Sequence, residues 1–139
     1  MADCCSGGVR LIYSCSGAAD VGLLADRVAR LLKDEGFARM TCLAGVGADL
    51  SGFIQSAKAA EVNITIDGCA VGCARKALER HGIASLSFVL SDLGFHKGET
   101  AVTEDAVRDA GEKIKNQSGK TGAKSDTGIS GGCSCSTCS

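Results

Sequence analysis

Cysteines are the residues whose number and spacing in this chain could do chemistry. The 139-residue sequence holds nine of them. Thiolate sulfur binds soft metal ions and exchanges disulfide bonds, so clustered cysteines predict metal binding or thiol chemistry. Four of the nine follow predicted strands or lie one helical turn further on, and we call them the cysteine quartet: Cys15, Cys42, Cys69 and Cys73.

The composition is that of a globular domain with a core. The chain is 45% hydrophobic and 22% charged, unlike a short secreted disulfide scaffold, and its odd cysteine count leaves one thiol over in any full pairing. No secretory signal or membrane-length apolar run is evident, so we expect a cytoplasmic protein. A net charge of -1 and an aromatic content of 4% give no case for nucleic acid or membrane as partner, and no protein partner is indicated.

Short apolar runs alternate with helical periodicity along the sequence. This order predicts a single three-layer α/β domain with a mainly parallel four-stranded sheet, Rossmann-like or flavodoxin-like, and helices on both faces. We expect strands over 9–13, 39–43, 62–66 and 85–90, and helices over 19–35, 49–60 and 70–80, with a last helix after Thr103. Asp49, Asp67 and Thr103 are expected to cap the helices that follow them.

The composition also divides the chain into three parts. Residues 1–8 form an N-terminal arm with cysteines, and residues 9–116 form the α/β domain. Residues 117–139 are rich in Gly and Ser, which predicts a flexible tail, and they end in a C-x-C-x-x-C cluster.

The predicted topology explains why the cysteine quartet should converge. Ligands of open parallel sheets bind outside the carboxyl ends of the strands. Cys15, Cys42 and Cys69 lie at the ends of the first three strands. If Cys69 opens the next helix, Cys73 lies one turn later on the same face. Four thiolates suit a tetrahedral zinc ion.

Other interpretations of the quartet stay open. A cysteine is often a small buried apolar residue, although equivalent positions at three strand ends argue against packing alone. A thiol–disulfide redox protein, or a sulfur or electron carrier, would use Cys69 and Cys73 together with tail cysteines. An iron–sulfur cluster also takes four cysteines. Four protein ligands leave zinc no open position for water, which argues against hydrolysis but leaves open whether the protein is an enzyme.

The remaining five cysteines lie near the chain ends, and we call them the terminal cysteines: Cys4, Cys5, Cys133, Cys135 and Cys138. They could form a second thiolate site if the two ends meet. The C-terminal three could instead be a thiol arm that passes metal or electrons to the quartet, or have no fixed partner.

Four motifs resemble those of the DGC-domain family of zinc-binding proteins, which is named after its central Asp-Gly-Cys. The resemblance covers about residues 9–115. It implies zinc held by the cysteine quartet in a prokaryotic, cytoplasmic setting, and it supplies no substrate. The motifs are C-S-G-A-A-D-V-G from Cys15, M-T-C-L-A-G-V-G from Met40, I-D-G-C-A-V-G-C-A-R-K from Ile66 and S-D-L-G from Ser91.

Overall fold

The computed structural model describes residues 8–121, with side chains for residues 8–119. It contains a four-stranded sheet in the order β2-β1-β3-β4, and every neighbouring pair is parallel. This confirms the predicted single α/β domain. The order of elements is β1 (Arg10–Ser14), α1 (Asp20–Asp34), β2 (Arg39–Met40), α2 (Leu43–Gly47), α3 (Ser51–Ala59), β3 (Val62–Asp67), α4 (Cys73–Glu79), β4 (Leu86–Val89), a 3-10 helix (Leu90–Leu93) and α5 (Glu104–Thr121).

Alternate residues of β1 supply the core on each face of the sheet, because successive side chains of a strand point to opposite sides. Ile12 packs with buried residues of α1 and α5. Leu11 and Tyr13 pack on the other side with buried residues of α2, α3 and α4. The sheet is therefore the middle of three layers.

The first helix follows its sequence signals closely. The buried positions Val21, Leu24, Val28 and Leu32 recur at helical spacing, so one face of α1 lies against the sheet. The helix ends before Gly36, whose φ of 76° is in the left-handed region that ends many helices. Such local signals need no tertiary contact to be recognised.

The second strand is shorter than predicted. The sequence predicts it over residues 39–43, but it ends at Met40, and Leu43 begins a short helix. Leu43 and Val46 both pack with Leu11 and Tyr13 in the core on that side of the sheet, and their helical spacing allows this. A Cβ on Gly45 would lie 2.4 Å from the ring of Phe53, so this glycine lets α2 approach α3 closely. Such packing leaves no local sequence signal.

The start of α3 also differs from the prediction. Asp49 does not cap it; Leu50 precedes the first turn, and no side chain caps it. Asp49 instead has a left-handed φ of 59°, and its carboxylate lies 3.2 Å from both the Arg80 guanidinium and the His81 ring nitrogen. The carboxylate therefore ties this turn to the end of α4. Thr103, by contrast, caps α5 as predicted, accepting the Ala106 N–H at 3.2 Å.

The predicted domain boundaries remain predictions. The helix α5 continues past residue 116 to Thr121. The terminal cysteines and most of the predicted tail lie outside the described residues. Within residues 8–121, no helix is long and apolar enough to cross a membrane.

Candidate metal centre

Three cysteines of the quartet lie at the carboxyl edge of the sheet. Cys15 directly follows β1, Cys42 follows β2 after one residue, and Cys69 follows β3 after one residue. Their strands are neighbours in the order β2-β1-β3. Adjacent strands lie about 4.8 Å apart, so the topology alone brings these three segments close to one another.

Cys15 is the most firmly held of the three. Its backbone N–H donates to the carbonyl of Ile66 at 3.0 Å, which continues the pairing of β1 with β3. Its Sγ accepts the N–H of Gly68 at 3.3 Å. The side chain is half-buried and packs on the core that Ile12 forms with α1 and α5. Because Gly68 precedes Cys69, these contacts tie Cys15 to the segment that carries the next thiol.

Cys42 approaches Cys15 from the other side. It is the residue before α2, it is exposed, and its backbone is extended. Cys15 and Cys42 line the same open cavity of about 830 Å³ between α1 and α2. Asp26 and Arg30 of α1 line this cavity as well.

The segment between Cys69 and Cys73 corrects the prediction that Cys69 opens a helix. The helix α4 begins only at Cys73, after Gly72 with a left-handed φ of 66°. The Gly72 N–H donates to the Cys69 carbonyl at 3.2 Å and closes a turn. Cys69 therefore lies in a loop, half-buried, and Cys73 is exposed at the first helical position. The two do not share one helix face.

Asp67 shows why the helix begins where it does. Its carboxylate accepts the N–H of Ala74 at 2.7 Å and that of Arg75 at 3.2 Å, and the residue is almost completely buried. Two N–H groups of the first turn of α4 are thus satisfied from the end of β3. The predicted capping role of Asp67 is confirmed, although the cap reaches across the loop that holds Cys69.

A polar network beside Cys15 was missed by the sequence reasoning. Ser16 donates to Asp26 at 3.0 Å, and Asp26 also accepts from Arg30 at 2.8 Å. The hydrogen bond from Arg30 holds the pKa of Asp26 below its ordinary value against partial desolvation, and Ser16 and Ser14 add to the effect. Two features of the sequence could have indicated this network. Serines flank Cys15 on both sides, and Asp26 and Arg30 lie one turn apart in the helix that follows.

The four thiols have suitable chemistry but are not yet arranged around an ion. All four are free, which leaves each sulfur available as a ligand. Within the part of the chain that the structure describes, no group of three or more His, Cys, Asp or Glu side chains is placed to hold a metal ion. The geometry gathers Cys15 with Cys42 at one cavity and links Cys15 to the loop of Cys69.

Comparison with known proteins gives two matches. The family described as the DGC domain matches residues 11–114. The protein named Anaerobic and virulence modulator AnvM, from Pseudomonas aeruginosa (strain PAO1), is 36% identical over 101 residues, which is 70% of this chain and 77% of that protein. No solved structure matches the chain.

Proposed function

The chain belongs to the DGC domain family, and from that premise we propose that it binds one zinc ion through the cysteine quartet. The observation that carries this proposal is the placement of Cys15. It lies on a cavity shared with Cys42, and it accepts a hydrogen bond from the residue preceding Cys69. A soft ion held at Cys15 would therefore have two further thiols in adjacent segments.

Zinc binding requires the segments of Cys42 and Cys69 to close on Cys15, because three of these side chains are not grouped among residues 8–121. Sulfurs around zinc lie about 3.8 Å apart, given Zn–S bonds of about 2.3 Å. Cys42 follows a strand of only two residues, and Cys69 lies in a loop with a left-handed glycine at its end. Neither thiol is in the middle of a regular element, so both can move without breaking the sheet. We propose that zinc draws them toward Cys15, and that Cys73 completes the ligand set.

Four thiolates define what the bound ion would do. They fill the tetrahedral shell and leave no position for a water molecule, so the site would hold or transfer zinc rather than hydrolyse a substrate. A role in metal or thiol handling follows from this chemistry. The setting in this proposal is cytoplasmic and prokaryotic, with the metal ion as the partner and with neither nucleic acid nor membrane involved.

The test is metal analysis of protein purified without oxygen. Wild type is expected to carry one colourless zinc ion per chain, and Cys15→Ser and Cys69→Ser are expected to lose it. The matched control is Cys133→Ser in the full chain, a substitution outside the quartet that should keep the zinc. Zinc retained equally in all variants would contradict the proposed ligands, and brown protein containing iron would favour a cluster.

A thiol–disulfide protein is the second candidate, and one observation favours it. Among residues 8–121 no group of three or more metal-binding side chains is preassembled, whereas a redox pair needs only two cysteines. In this alternative Cys69 attacks a disulfide of the substrate and forms a mixed disulfide. The thiolate of Cys73 or of a tail cysteine then attacks the Cys69 sulfur of the mixed disulfide. The substrate leaves as a reduced thiol, and a disulfide remains in the protein. Metal-free protein with a titratable disulfide at this position would favour this candidate over zinc.

A further inference from the structure

The residues on both sides of Cys15 are joined by their hydroxyl groups. Ser14 Oγ and Ser16 Oγ lie 2.7 Å apart, and Ser16 Oγ lies 3.0 Å from Asp26 Oδ1. A hydroxyl has only one hydrogen. If Ser16 donates this hydrogen to Asp26, then Ser14 must donate its own to Ser16. The direct contact between Ser14 and Asp26 is longer, at 3.5 Å, and is secondary. The carboxylate thus orients both neighbours of Cys15.

Asp26 is itself fixed in place from the helix. Arg30 donates from Nε to Asp26 Oδ2 at 2.8 Å and makes a longer contact from Nη2 to Oδ1 at 3.5 Å, while Oδ1 accepts the shorter bond from Ser16. The Asp26 side chain is only 20% exposed, whereas Arg30 is 60% exposed. An exposed helical ion pair contributes little by itself. The carboxylate of Asp26 is more buried than that of Asp109 and itself accepts from a loop, whereas in the Lys113–Asp109 pair of α5 it is Lys113 that reaches outside the helix, to the carbonyl of Leu93.

The backbone after Cys15 needs such a tie. Ser16 has a φ of 45°, in the left-handed region that few residues other than glycine adopt. Its bond to Asp26 compensates for this unfavourable conformation. The turn at Ser16 decides how the chain leaves β1 directly after Cys15.

We propose that Asp26 is a positioning residue for Cys15: through Ser16 and Ser14 it holds the thiol at the cavity that Cys42 also lines. This inference rests on the proposed function, because it assigns Asp26 as the outer group that orients a metal ligand. Arg30 keeps the carboxylate turned toward the loop. Outer groups of this kind typically change metal affinity without touching the ion.

The test compares Asp26→Ala with Asp109→Asn, which removes the carboxylate of a similarly spaced pair on α5. Zinc affinity, measured by competition with a chelator, is expected to fall about 10- to 100-fold in Asp26→Ala and to be unchanged in the control. Asp26→Asn keeps an acceptor for Ser16 and is expected to recover most of the affinity. Ser16→Gly combined with Asp26→Ala should weaken binding no more than Asp26→Ala does.

Two readouts separate positioning from a loss of folding. The unfolding midpoint of the metal-free protein should change no more in Asp26→Asn than in the control. In metal-free protein, the alkylation rate of Cys15 should change in Asp26→Ala while that of Cys73 stays constant. An unchanged Cys15 rate overturns the inference, as does a zinc affinity that falls only in proportion to stability. Absence of zinc from wild type overturns the proposed function instead, and the alkylation measurement then decides the positioning role alone.

Discussion

Each residue of the Asp67-Gly68-Cys69 triplet has its own physical reason. Asp67 ends β3 and satisfies two N–H groups of α4. Gly68 leaves room for the backbone of Val21, which would lie 2.7 Å from an added Cβ, and it donates to Cys15. Among residues 8–121, the Cys69 side chain makes no hydrogen bond and does not pack on either core cluster. The fold therefore accounts for two of the three positions, and for the third we propose metal binding.

The cap at Asp67 gives a prediction for stability. Asp67→Ala removes an acceptor from two N–H groups in a buried place, and we expect the free energy of unfolding to fall by about 1–3 kcal/mol. Asp67→Asn keeps one acceptor oxygen and should lose less. Urea denaturation of the metal-free variants measures both values. Equal losses in the two variants would mean that the carboxylate does not act as a cap.

Tyr13 gives a prediction with a pH window. Its hydroxyl donates to Asn63 Oδ1 at 3.2 Å, and burial raises its pKa from 10.0 to about 12. The folded state favours the neutral phenol. Its contribution to the stability of the fold is therefore complete below pH 10.0 and is lost as the pH rises toward about 12.

Tyr13→Phe leaves the Asn63 oxygen without this donor, and we expect a loss of about 1 kcal/mol at pH 8. The difference between wild type and variant should shrink as the pH rises through the window. Denaturation at pH 8 and at pH 11 tests this. Since the chain has one tyrosine and no tryptophan, phenolate absorbance reports Tyr13 directly. A constant difference across the window would show that the phenol titrates normally.

At the scale of elements, the loops of the carboxyl edge are packed against the start of α1. Gly68→Ala would place a methyl group into the backbone of Val21, so we expect a loss of about 1–3 kcal/mol from forced displacement. Gly17→Ala is the matched control, because a Cβ there meets nothing within 4 Å and the residue does not need a left-handed φ. Thermal unfolding compares the two. A Gly68→Ala protein as stable as the control would contradict the close approach.

A second tie joins α1 to the loop before α5. Asp20 accepts the N–H groups of Gly98 and Thr100, and the bond from Gly98 is the main cause that holds its pKa below the ordinary value. A carboxylate with a lowered pKa stabilises the fold fully above its unfolded value of about 3.9, and this stabilisation is lost as the pH falls through the folded pKa.

Asp20→Asn should therefore be less stable than wild type at pH 7, and the two should converge as the pH falls well below 4. Denaturant midpoints at pH 7 and pH 2.5 measure this convergence. Asp109→Asn serves as the control, because the exposed Asp109 carboxylate accepts no backbone N–H among residues 8–121. A difference that persists unchanged at the lower pH would contradict the charge-assisted role of Asp20.

Elements whose signals are local could be predicted from the sequence. The periodicity of α1, its end before Gly36 and the cap at Thr103 needed no tertiary contact. Prediction from the sequence fails where packing decides. The helix α2 depends on contacts of Leu43 and Val46, and the start of α4 depends on Asp67 reaching over a loop. Periodicity shows neither contact, so it predicts a β2 that is too long and a helix that begins at Cys69.

At the scale of the whole molecule, the parallel topology accounts for where the candidate site lies. The sheet order puts three strand ends beside one another, and each is followed within two residues by a cysteine. This location could be predicted because it depends only on strand order and direction. The distances between the sulfurs could not, because they depend on loop backbone such as the left-handed Gly72.

The closure proposed for these loops would also be visible in the stability of the whole domain. A ligand that binds only the folded state raises stability with its concentration. Added zinc is therefore expected to raise the thermal midpoint of wild type, and Cys15→Ser should abolish the rise. A midpoint that rises equally in both proteins would point to zinc bound elsewhere in the chain.

The most direct measurement of the central claim is X-ray absorption at the zinc edge on full-length protein purified without oxygen. If the cysteine quartet binds zinc, the spectrum should show a single shell of four sulfurs at about 2.3 Å from one zinc ion. The Cys42→Ser protein should lose at least one sulfur from this shell. A zinc shell made of nitrogen and oxygen, or the absence of zinc from the protein, would contradict the four-thiolate site.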